Sequence, residues 1–227
     1  MLGASRAPAT QAALPAAPAP PGVAATGARA DAFDRLVASW TLVNDYVVTI
    51  ETMETLGTKT THSVLEYSFR KPDRAKLEVL RGTSAGAVLV WEGGTDVTAY
   101  KRGFFSAFKL HLDIQDPRVT SLRGNGVLSP DLGEILACFS AHRSDVNVEP
   151  GPEIAGAATE AIALTYAGFT CPQDSSIDRV VTRDVLDVSI ATGIAVHRER
   201  YAGSTLVESY DLQSYSVNKG LADSVFR

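Results

Sequence analysis

Apolar and polar residues alternate with a period of two through much of this chain, the pattern of a sheet with one buried face. Within residues 60–100, Ser63, Leu65, Tyr67 and Phe69 fall on one side of a strand, and His62, Glu66 and Ser68 on the other. In the next strand Ala75, Leu77 and Val79 oppose Arg74, Lys76 and Glu78. Pro72 cannot donate to a ladder and so belongs in the connection. Gly93-Gly94, between an apolar run at 88–91 and the next alternation at 97–99, supplies the positive φ angles of a tight hairpin. Residues 46–55 are β-branched and strand-like, with a turn at Gly57-Thr58. The same reading gives strands at 161–166, 186–190, 194–201 and 205–215, with turns at Thr192-Gly193 and 202–204. Successive strands joined by short turns make a meander, not a series of βαβ units.

Two segments depart from that period. Asp31 can cap a helix in which Phe33, Leu36, Val37 and Trp40 recur at i, i+3, i+4 and i+7. Ser129-Pro130-Asp131 reads as a second helix start: a capping hydroxyl, a proline at the first position and a carboxylate at the positive dipole end. Leu132, Ile135, Leu136 and Phe139 form the apolar face that follows. The aromatic stretch 103–108 fits neither pattern, and Asn125-Gly126 marks a turn. The expected fold class is mainly β (α+β): a curved antiparallel sheet or incomplete β-barrel, with helices covering its open mouth.

With 227 residues the chain is long enough for one domain with a sizeable core. The expected organisation is an arm over residues 1–30 and a single domain over 31–227. The arm is mostly Ala and Pro, a composition expected to stay disordered. Arg6 and the small-x-small triplet Ala28-Arg29-Ala30 also resemble parts of an export signal, although Leu2, Leu14 and Val23 are too sparse to form its apolar centre. A net charge of −5 leaves no cationic excess for phosphate backbones, so nucleic-acid binding is disfavoured. No apolar run is long enough to cross a bilayer as a helix. Cys138 and Cys171 are either a disulfide pair or two separate small core residues, and spacing does not decide between them.

The motifs that mark common chemistries are absent: no G-x-S-x-G, H-E-x-x-H, G-x-x-x-x-G-K-[ST] or C-x-x-C. Arg123-Gly124-Asn125-Gly126 reads as a turn. His62, His111, His142 and His197 are far apart in sequence and read as solvated, as do the alternating charges Asp178-Arg179 and Arg183-Asp184. No catalytic residue, metal ligand or cofactor site is predicted, and the protein is expected not to be an enzyme.

Taken in order, these elements resemble the outer-membrane lipoprotein carrier superfamily, the LolA/LolB-like proteins of bacterial envelopes. The resemblance is carried by the amphipathic helix ending near Trp40, by Phe69-Arg70-Lys71-Pro72-Asp73-Arg74-Ala75-Lys76-Leu77-Glu78, by Val90-Trp91-Glu92-Gly93-Gly94-Thr95-Asp96-Val97, and by the closing segment 210–226. It covers about Asp31 to Phe226. It implies a half-barrel with a helical lid around a hydrophobic cavity, no enzyme activity and no cofactor. It also implies a periplasmic or envelope location and, as partners, an acylated lipoprotein or lipid and an exchange partner at the inner or outer membrane. The implied cavity lining is Phe33, Leu36, Val37 and Trp40 from the first helix, Leu132, Ile135, Leu136 and Phe139 from the second, and Leu65, Tyr67, Leu77, Val79, Leu89 and Trp91 from the sheet. Arg70 and Lys71 are the implied lid or headgroup contacts. Lys71 stands where the family usually has Arg, and Ala75 near an expected aromatic, so a general envelope lipid binder fits as well as a lipoprotein carrier. The alternative is a partner-binding or sensor module with the same fold and a filled core.

Overall fold

The structure, a computed structural model, describes residues 31–103 and 107–227. The 1–30 arm and Phe104 to Ser106 of the aromatic stretch lie outside the described residues. Helix α1 (Ala32–Thr41) leads into β1 (Asp45–Leu56), β2 (Lys59–Arg70), β3 (Arg74–Arg81), β4 (Ala87–Trp91), β5 (Asp96–Lys101) and β6 (Leu110–Asp113). A long loop then reaches α2 (Leu132–Ala141), followed by β7 (Val146–Pro150), β8 (Thr159–Thr165), β9 (Arg183–Ser189), β10 (Ala195–Ala202) and β11 (Thr205–Val217).

Among the described residues eleven strands form one antiparallel sheet in the order β6-β5-β4-β3-β2-β1-β11-β10-β9-β8-β7. The chain therefore starts at the centre with β1, meanders to one edge, crosses to the other through the loop and α2, and meanders back until β11 pairs with β1. The sheet is curved and open, its edges β6 and β7 unpaired with each other, and this is the predicted fold class.

Local chemistry explains the boundaries. Asp31 caps α1, its side chain accepting from the Asp34 N–H at 3.0 Å. The φ values of Gly93 and Gly94, 85° and 73°, are those the β4–β5 turn requires. The second helix begins two residues later than its sequence suggests. Asp131 is the cap, accepting from Gly133 N–H at 2.7 Å, while the Ser129 hydroxyl accepts from Gly126 N–H at 3.1 Å and closes the preceding turn. Ser129 is spent on the loop, so the next side-chain oxygen along the chain takes the cap.

The inner face of the sheet carries two apolar clusters. One joins α1 and α2 to β7, β8 and β9 through Phe33, Leu36, Ile135, Leu136, Phe139 and Leu186, among others. The other lies over β1 to β5 and β11 and is covered by Val119 and Val127 of the loop between β6 and α2. Trp40 packs against both. It sits directly over Gly133, where an added Cβ would lie 3.0 Å from the indole, so the glycine lets the two helices close on each other. Cys138 and Cys171 form a disulfide that ties α2 to the loop following β8, which settles the alternative left open by spacing.

Candidate functional site

The inner face is filled under the helices and open under the loop. Beneath α1 and α2 two voids measure about 30 and 20 Å³, and a groove of about 370 Å³, wide open to solvent, is lined by Phe33 and Val37 of α1 and Ser140 of α2. Between the sheet at β1 to β4 and the loop residues 118–130 lies a cavity of about 170 Å³. In the same measure a single water needs ~10–15 Å³, so this is far more than a gap between side chains. Leu65, Leu77, Val79, Leu89 and Tyr210 line it from the sheet, and Val119 and Pro130 from the loop. Thr83 and Ser84, in the turn after β3, and Arg118 are exposed lining residues and mark its outer end.

Four of the sequence-predicted lining residues, Leu65, Leu77, Val79 and Leu89, are brought together at this cavity. The others are not. Phe33, Leu36, Val37, Leu132, Ile135, Leu136 and Phe139 interlock in the filled helix cluster, and Trp40 bridges the clusters. Tyr67 is fully buried in the sheet cluster beside Tyr46, and Trp91 donates its indole N–H to the Gly94 carbonyl at 3.0 Å. Apolar periodicity marks a buried face, and packed core and cavity wall share that signature.

Arg70 and Lys71 have different tasks. Arg70 donates to the Leu221 carbonyl at 2.6 Å and to Asp223 at 2.5 Å, with its guanidinium 5.3 Å from the Phe226 ring centroid, so it holds the C-terminal tail. Lys71 touches the helical cover: Nζ donates to the Trp40 carbonyl at 2.6 Å and lies 4.5 Å from the indole centroid. Burial lowers its pKa, with Asp131 acting in the opposite direction. Asp131 itself is pushed up to about 7 by burial, against the hydrogen bond from Gly133.

The loop over the cavity is held by buried charge, and this the sequence reading missed. Glu54, on the cavity wall, accepts from Ser121 Oγ at 2.7 Å, Asn125 Nδ2 at 2.9 Å and the Arg123 N–H at 3.3 Å. Arg123 is 1% exposed and donates to Glu208 at 2.7 Å, to Asp178 at 2.9 Å and to the Thr55 carbonyl at 2.9 Å. Arg200 continues the network to Asp178 at 2.8 Å and Asp174 at 2.6 Å, and Arg198 grips Asp184 through two bonds of 3.0 and 2.6 Å. Burial raises Glu54 and Asp178, Asp178 to about 6; Glu208 is held down at about 2 because Arg200 and Arg198 outweigh its burial. Asp178 and Asp184 are therefore not the solvated charges expected; each is inside, facing an arginine from another element. Arg123 is likewise more than a turn residue.

The histidines divide. His62 and His111 are exposed, as expected. His197, on the outer face, is instead part-buried with Nδ1 2.7 Å from Asp211 Oδ1, and His142 stacks on Phe169 at 3.4 Å between centroids. Among the described residues no group of His, Cys, Asp and Glu is arranged to hold a metal ion.

A curved open sheet with two helices packed on its inner face and a partly apolar cavity beside them is an architecture matched among solved structures. No family model and no curated protein matches the chain. Among solved structures, an uncharacterized conserved protein from Thermus thermophilus aligns with a TM-score of 0.51 at 9% identity, over 86% of this chain and 90% of that one. MucB aligns with a TM-score of 0.50 at 14% identity over 86% of this chain, which spans 61% of MucB's length. LolA superfamily protein NE2245 from Nitrosomonas europaea aligns at 0.40 and 9% identity, over 88% and 98% of the two chains. At these identities the likeness to the first two is one of fold alone.

Proposed function

We propose that the protein is a non-enzymatic carrier of the bacterial cell envelope that takes an acyl chain of a lipoprotein or lipid into the cavity over β1 to β4. The observation that carries this reading is the cavity itself: about 170 Å³ with an aliphatic floor of Leu65, Leu77, Val79 and Leu89. Each buried CH₂ contributes about 0.8 kcal/mol, so an apolar recess is what allows an acyl chain to leave a membrane and cross water. Glu54, the acidic side chain on the cavity wall, is engaged by Ser121, Asn125 and Arg123, which favours binding over catalysis. The disulfide favours an oxidising compartment, as the periplasm is. The cargo's exchange partner would lie at the inner or outer membrane. The alternative of a sensor module with a filled core fits the helix half, with its voids of about 20 and 30 Å³, but not the loop half.

The test is uptake. Native mass spectrometry of the purified protein should find bound acylated molecules, and the stripped protein should take up a fluorescent fatty acid. Val79→Trp, which pushes an indole into the cavity, should weaken uptake about tenfold or more, a loss of about 1.4 kcal/mol. Leu132→Met in the filled half should leave it unchanged. A protein that carries nothing and takes up no fatty acid overturns the proposal.

A further inference from the structure

Strands β1, β3 and β5 run toward one end of the sheet, and β2, β4 and β6 run away from it. The β1–β2 turn, the β3–β4 turn, the end of β5 and the start of β6 therefore lie together. This is also the outer end of the cavity, because Thr83 and Ser84 of the β3–β4 turn line it. Leu89 on the cavity floor pairs with Ala99, and Ala99 with Leu110, so the row of inward side chains continues past the cavity to the edge strand.

This end differs from the rest of the molecule in composition. The connecting residues at this end, 55–60, 80–87, 100–103 and 107–110, hold no Asp or Glu, in a protein of net charge −5, while Glu51, Glu54 and Glu78 stand beside them on β1 and β3. They hold Lys59, Arg81, Lys101, Arg102 and Lys109, all exposed. Arg81 and Arg102 face Glu51 and Glu78. The three lysines have no carboxylate partner among the described residues, Lys109 lying 5.4 Å from the Tyr100 ring centroid. Between these cations stand apolar side chains turned to solvent: Phe108 is 70% exposed, Leu110 53%, Leu80 40% and Leu56 38%.

Exposed aliphatic and aromatic groups interleaved with lysine and arginine are the composition of a surface that rests at a membrane interface. The apolar groups enter the headgroup boundary, and the cations meet lipid phosphates. We propose that this end of the sheet is a membrane-docking rim that seats the cavity mouth on an anionic lipid surface. An acidic protein surface would account for the lysines but not for the exposed Leu110, Leu80 and Leu56 beside them. The inference rests on the carrier reading only for its purpose; the rim is defined by exposure and charge independently of what the cavity holds.

The test is flotation of the full chain with vesicles of phosphatidylcholine alone and with phosphatidylglycerol added. The wild type should float with the anionic vesicles, less so with rising salt, and weakly with the neutral ones. Each lysine near an anionic surface contributes about fivefold, so Lys59→Ser, Lys101→Ser and Lys109→Ser together should weaken partitioning by roughly 100-fold. Phe108→Ser should weaken it separately while leaving the salt slope unchanged. Circular dichroism and fatty-acid uptake in detergent-free buffer, measured on the same variants, should match the wild type. Absence of binding to anionic vesicles overturns the proposal, as does binding that survives all four substitutions, or an acidic protein partner found in its place. Vesicle binding by a protein that takes up no fatty acid would retain the rim and remove the carrier reading.

Discussion

Asp131 shows how much a single buried carboxyl can govern. It caps α2, lies beneath the joint of Trp40 on Gly133, and is 4% exposed. Burial raises it from an ordinary value of 3.8 to about 7. Between those values the folded protein holds a proton that the unfolded chain has released. Stability from this group is therefore fullest below about pH 4 and declines as pH rises toward 7. Asparagine caps helices as well as aspartate does and carries no charge. Asp131→Asn should track the wild type near pH 4 in urea denaturation and exceed it increasingly up to neutrality, by at most about 4 kcal/mol. Parallel curves for the two proteins would mean that Asp131 is solvated in the folded state.

At the scale of elements, the loop between β6 and α2 is the cover of the cavity, and Arg123 is its anchor. The guanidinium bonds Glu208, Asp178 and the Thr55 carbonyl at once, so it clamps the loop to β1, β11 and the 3-10 turn Ser176–Val180. Removing one partner of a buried network leaves charge uncompensated, at a cost of about 3–5 kcal/mol. Arg123→Met should lose stability by that amount near pH 8 and recover part of it near pH 5, where the stranded carboxylates take up protons. A deficit independent of pH would point to lost packing instead. Little of this network is legible in the sequence. Strand alternation and the α1 cap follow from local spacing, and both can be read from it. Asp178 beside Arg179 has the look of an exposed charge pair, and only folding brings Arg123 and Arg200 to it from 55 and 22 residues away. The start of α2 is misread for a related reason, since whether Ser129 caps the helix depends on Gly126 behind it.

At the scale of the whole molecule, β1 pairing with β11 divides one sheet into two halves of different character. The half from β7 to β10 is covered by both helices, crossed by the disulfide and filled. The half from β1 to β6 is covered by a loop and keeps the cavity. Sequence periodicity names apolar lining residues in both halves without separating them, because a core leucine and a cavity leucine obey the same alternation. Which is which depends on the cover: helices carrying Phe33, Leu36, Ile135 and Phe139 interlock with the sheet, whereas a loop held down by Glu54 and Arg123 spans it. Cargo should therefore act on one half. Ligand that binds only the folded state stabilises by RT ln(1 + [L]/Kd), about 2.7 kcal/mol at a hundredfold excess over Kd. Hydrogen exchange with and without a saturating fatty acid should show the added protection in β1 to β4 and residues 114–130. Amides of α1, α2, β8 and β9 should change little beyond the global effect. Protection centred on the two helices would put the cargo beneath them and require the filled half to open, returning the site to the helix residues that the sequence pattern suggests.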